Sequence, residues 1–93
     1  MFESVYDNYS VIYSELESLL GIIYDDIKKD STNIEKANLF QNLGNIALKV
    51  IYSQMQLVED YGDPHYKDQM LSNLDNKSTM LFETLKEDRN RLR

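Results

Sequence analysis

From Phe2 onward apolar side chains recur at Val5, Tyr6, Tyr9, Ile12, Tyr13, Leu16, Leu19, Leu20, Ile23 and Ile27. Gaps of three and four alternate for nearly four heptads, which is the signature of one face of an α-helix. The stripe is about three positions in seven wide, broader than a two-stranded seam and suited to a bundle. One amphipathic helix is therefore predicted over residues 2–29. Lys28 and Lys29 stand where cations complement the negative end of its dipole.

After "DDIKKDST" the run Thr32-Asn33-Ile34-Glu35 fits a capping box, in which a hydroxyl and a glutamate satisfy each other's exposed amides. A second helix is predicted over residues 33–61. Phe40, Leu43, Ala47, Val50, Ile51 and Val58 share one face, with Leu43, Ala47 and Val50 expected in the core. Leu39, Ile46, Leu48, Met55 and Leu57 spread apolar character around its sides. A helix apolar over so much of its circumference needs cover from more than one direction, which makes it the expected centre of the fold or of an oligomer. Ala37, Gly44 and Ala47 are small residues at helical spacing that would admit a close neighbour. A glycine inside a helix costs about 1 kcal/mol relative to alanine, so Gly44 calls either for a packing reason or for a tolerant, exposed position.

The segment "EDYGDPHY" holds the only proline and the only histidine of the chain. Gly62 is expected to end helix two in a left-handed conformation, Asp63 to cap helix three, and Pro64 to occupy its first position, where a missing N–H is harmless. Helix three is predicted over residues 64–92, with Tyr66, Met70, Leu71, Leu74, Leu81, Leu85 and Leu92 on one side. Its polar stretch "NLDNKST" makes it the weakest of the three, with fraying or a break expected near Asn76.

Three helices joined by short turns imply antiparallel neighbours, so the expected fold is all-α, a single domain over residues 1–93 built as an antiparallel up-down-up three-helix bundle. Slender bundles of this size bury little per helix, and completion by dimerisation or by a partner helix is expected.

Composition narrows the chemistry. The chain has no cysteine, hence no disulfide, thiolate metal site or cysteine nucleophile. It shows neither a secretory leader pattern nor a long apolar run, so a soluble, cytoplasmic protein without membrane association is expected. The net charge of −6 is concentrated in residues 1–30, where seven acids face Lys28 and Lys29. An acidic chain repels phosphate backbones, which argues against nucleic acid as a partner, the short basic tail "KEDRNRLR" notwithstanding.

Glu59, Asp60, Asp63 and His65 lie close in sequence and could offer oxygen and imidazole ligands to a cation, but their spacing matches no metal motif. Helix capping and solvent account for them, and no metal or other cofactor is expected. There is no phosphate-binding glycine loop or nucleophile elbow, and Glu15 and Glu17 point to different helix faces, so neither an enzyme activity nor a small-molecule substrate is expected. Tyrosine is enriched at binding surfaces because it combines a large rigid area with a hydrogen bond. Tyr6, Tyr13 and Tyr24, with Leu39, Ile46 and Leu57 of helix two, are accordingly the candidate partner-binding residues. The function expected is a non-enzymatic protein-binding module of the small chaperone, adaptor or inhibitor type, packing helices against a protein partner. The alternatives are a self-assembling homodimer and an acidic immunity or anti-defence protein that neutralises a toxin or nuclease.

Overall fold

The computed structural model describes residues 2–91 and consists of α1 (Phe2–Lys29), α2 (Ile34–Tyr61) and α3 (Lys67–Arg91). It is an all-α three-helix bundle measuring 47 × 21 × 15 Å along its principal axes, with α1 packed on α2 and α2 on α3. Leu92, expected on the apolar side of helix three, lies outside the described residues. Among the described residues no helix is long and apolar enough to cross a membrane.

Both turns differ in detail from the sequence reading. At the first, the N-cap is Asn33 and not Thr32: Asn33 Oδ1 accepts from the Lys36 amide at 3.1 Å. Thr32 instead gives both its amide and its hydroxyl to Asp30 Oδ1, at 3.2 and 2.7 Å. An asparagine carbonyl accepts an amide as well as a hydroxyl does, so the cap slides one residue along. The turn is further pinned by Lys36 Nζ on Asp26 Oδ2 at 2.5 Å, a bridge between α2 and the end of α1.

At the second turn Gly62 is extended, with φ −68° and ψ 149°, and not left-handed. Its amide still reaches back to the Val58 carbonyl at 2.9 Å. Glycine serves a different purpose here, because a Cβ on it would lie 2.5 Å from that same carbonyl oxygen. Asp63 does act as a cap, its Oδ1 accepting from the His65 amide at 2.9 Å, but it caps an isolated turn. The continuous helix starts only at Lys67. From there α3 runs without the break expected near Asn76. Its polar residues Asn73, Asp75, Asn76 and Lys77 lie on exposed positions, while Leu74, Ser78, Leu81 and Leu85 keep a spacing of three and four towards α2. Buried Ser78 satisfies its hydroxyl on the Asp75 carbonyl at 2.8 Å.

The core collects around α2. Ala47, Ile51 and Val58 are fully enclosed, Ile27 and Phe40 nearly so, and Val50 is buried, whereas Leu43 is only half-buried. Gly44 has its packing reason: a Cβ there would run into the side chain of buried Leu85 on α3. Gln54, 2% exposed, is the polar member of this interior. Its Nε2 donates to Ser10 Oγ at 2.8 Å and to the Tyr6 carbonyl at 3.3 Å on α1, while Oε1 has no partner. On the other side of α2, Gln41 Nε2 reaches the Leu85 carbonyl of α3 at 2.8 Å.

The bundle is open on one side. Among the described residues no Cα of α1 comes within 8 Å of a Cα of α3. The two outer helices run parallel, each held by α2, and a groove separates them.

Candidate functional site

The groove floor is made by apolar residues of α2 and of the inner faces of α1 and α3. Its lower part is a cleft of about 580 Å³ lined by Tyr13, Leu20, Gly21 and Tyr24 of α1, Phe40 of α2, and Met80 and Leu81 of α3. Met80 is 72% exposed, and a Cβ on Gly21 would meet nothing within 4 Å, so both walls stand open to a visitor. Tyr24 lies tilted on Phe40 with ring centroids 5.7 Å apart, and the Lys28 ammonium sits 4.7 Å from the Tyr24 ring centroid.

Midway, Lys77 of α3 sets its ammonium 4.2 Å from the Tyr13 ring centroid. Tyr13 is 7% exposed, and burial, reinforced by the nearby Glu17 carboxylate, pushes its phenol above the ordinary range. Beyond this bridge lies a second cleft of about 640 Å³, between Phe2 and Tyr6 of α1 on one side and, on the other, Tyr66 of the second turn and Met70 of α3. Glu3, Asp7 and Asp63 stand on its rim, and no basic residue is among its described lining. Burial, and then the Asp7 charge, raise the Tyr6 phenol. The groove is thus apolar and aromatic at one end and acidic at the other.

The six residues predicted to bind a partner fall on two opposite sides of α1. Tyr6, Tyr13 and Tyr24 line the groove, with Tyr13 contributing floor and not free surface. Leu39 and Ile46, each 46% exposed, and half-buried Leu57 lie on the flank of α2 beyond α1. Helical geometry places them there, on the far side of Gln54, which touches α1, from Gln41 and Gly44, which touch α3. On the matching flank of α1 stand Val5, Ile12 and Leu19, exposed and spaced by heptads. The result is a second apolar surface along the α1–α2 seam. The sequence reading missed Gly21, Met80 and this role of Ile12 and Leu19; the heptad repeat of Val5, Ile12 and Leu19 was the available signal.

The acidic segment around the second turn assembles nothing. Among the described residues no three Asp, Glu or His side chains are placed to share a metal ion. Asp60 accepts from Gln56 Nε2 at 3.0 Å, Asp63 caps its own turn, and the His65 ring meets Tyr66 edge-on at 4.7 Å.

Comparison with protein-family models, with curated proteins and with solved structures returns no match. The class the fold and groove define is a small open helical bundle.

Proposed function

We propose that the chain is a non-enzymatic protein-binding module whose α1–α3 groove receives an amphipathic helix of a partner protein. The observation that carries this reading is the separation of α1 from α3 above an apolar floor, which is the space a fourth helix fills in a closed bundle. The groove from Glu3 to Tyr24 is roughly 32 Å long at about 1.5 Å per residue, room for about six turns of such a helix, about three of them over the cleft between Tyr13 and Tyr24.

Charge gives the occupant a direction. An occupant antiparallel to α1 and α3 sets its C-terminal end against Glu3, Asp7 and Asp63, at the end where α1 and α3 begin. Lysines or arginines in its last turn then complement both its own dipole and those carboxylates. The partner helix is therefore leucine-rich on one face and basic at its C-terminal end.

The test uses two synthetic amphipathic peptides with identical leucine faces, one with lysines in its C-terminal turn and its twin with them in the N-terminal turn. Titrated into isotopically labelled protein, the first is expected to bind more tightly and more salt-sensitively, shifting resonances of Gly21, Tyr24, Lys77 and Met80. Gly21→Leu, which fits the open wall without disturbing the fold, is expected to abolish binding at unchanged helicity. Binding indifferent to Gly21→Leu would refute the groove as the docking site.

A further inference from the structure

The seam between α1 and α2 lies on the side of α1 away from the groove, and it carries its own apolar stripe. We infer that this seam is where a second copy of the chain docks, giving a two-fold homodimer whose axis runs parallel to the helices. Three observations support that occupant over an unrelated protein.

First, the stripe is self-complementary in shape. The pairs Gln54 with Tyr6 and Ser10, Phe40 with Tyr24, and Lys36 with Asp26 define the antiparallel register of α1 on α2. In that register Val5 lies level with Leu57, and Leu19 falls between the levels of Ile46 and Leu39. Ile12 falls between the levels of Ile46 and Ser53, the latter small and half-buried. An axis along the helices lays each α1 over the other copy's α2 at the same level. Ile12 then enters between Ile46 and the small Ser53, and Leu19 drops between Ile46 and Leu39, as knobs entering holes do.

Second, the charges at the lips of the seam choose the axis. Glu15 on the α1 lip and Lys49 on the α2 lip stand at nearly the same level, both exposed, and neither makes an ion pair among the described residues. With the axis along the helices, Glu15 meets the partner's Lys49, and Lys49 meets the partner's Glu15. An axis across the helices would bring α1 against α1 and set Glu15 near the partner's Glu15. Opposite charges across a C2 interface fix its register in this way.

Third, the area suffices. Two side-by-side helices of 28 residues each present a face roughly 40 Å long and roughly 20 Å wide, on the order of the 800 Å² per partner of a standard interface. The dimer leaves both grooves facing outward, so it would be a two-site receptor under the groove reading, but it does not depend on that reading.

The experiment is sedimentation equilibrium across a wide concentration range on the full chain and four variants, with helicity checked on each. The full chain is expected to be a dimer. Ile12→Glu and Ile46→Glu, both at exposed positions that the monomer fold does not need, are expected to be helical monomers. Glu15→Lys and Lys49→Glu singly are expected to weaken association on the order of tenfold, and the double reversal to restore it. A full chain that stays monomeric at all concentrations, or a dimer that survives Ile12→Glu, would overturn the proposal. A double reversal that fails to restore a dimer weakened by each single reversal would overturn the alignment of the axis. Gly21→Leu, which blocks the groove, is expected to leave the dimer intact, which separates this outcome from the fate of the groove reading.

Discussion

Lys77 of α3 spans the groove to place its ammonium 4.2 Å from the ring centroid of Tyr13 on α1, joining two helices whose backbones do not approach each other. A cation over an aromatic face at a part-exposed site contributes about 0.5–1 kcal/mol. Lys77→Ala is therefore expected to lower stability by no more than about 1 kcal/mol in urea denaturation. A loss above about 3 kcal/mol, the scale of a broken core contact, would mean that the outer helices depend on each other far more than their separation indicates.

The two glycines within helices respond in opposite ways to the same substitution. Gly21→Ala adds a methyl to open space and removes the helix penalty of glycine, so it is expected to stabilise by about 0.5–1 kcal/mol. Gly44→Ala drives its methyl into Leu85 and is expected to destabilise by about 1–3 kcal/mol, the usual consequence of overpacking. Thermal melts of both variants check the signs, and shortening Leu85 to alanine in the Gly44→Ala background should recover part of the fit between α2 and α3 while adding its own cavity loss.

Gln54 holds α1 through one side of its amide and leaves Oε1 buried without a partner. Its net hydrogen bonds are worth about 0.5–1.5 kcal/mol, and an unsatisfied buried oxygen costs about 1–3 kcal/mol. Ser10 is exposed and can turn to water when the glutamine is gone. Gln54→Met, close in shape, is expected to be neutral or stabilising by about 1 kcal/mol. Denaturant midpoints decide it, and a marked loss would mean that the Ser10 bond matters more than the orphaned oxygen.

Asp26 gives the fold an acid sensitivity of definite sign. Its hydrogen bond to Lys36, and then that ammonium's charge, hold its carboxyl below the ordinary value. A carboxylate depressed in the folded state adds stability that is fully present above its unfolded pKa. The contribution is lost as pH falls from there through the depressed folded value. Asp26→Asn is expected to flatten stability against pH in that acidic window and to leave the slope near neutrality unchanged. Because the pair is part-exposed, added salt should shrink the difference.

The helices, their faces and the central place of α2 are legible in the sequence because a three-and-four spacing encodes which side of each helix is buried. Gly44 is legible as a question, and Leu85 answers it. Other features depend on contacts that periodicity does not encode. Gln54 sits among Ser53 and Gln56 and reads as surface until α1 is laid over it. Gly62 reads as a left-handed cap because that is the commonest use of glycine there, whereas the crowding carbonyl of Val58 is visible only in three dimensions. Asn33 and Thr32 are both good caps, and local geometry chose between them. Above all, three amphipathic stripes say that helices pack but not that one pair stays apart, so Tyr24 and Ile46 could be nominated together although they face opposite ways.

Because α1 and α3 each lean on α2 and barely on one another, the chain contains two overlapping helical hairpins that share one strut. Either turn can close first, since neither hairpin needs the other's contacts, and both form over short sequence separations that favour rapid folding. On a chain emerging in order of synthesis, the α1–α2 pair is complete before α3 exists, and α3 then closes over the exposed side of Gly44 as the last piece to arrive.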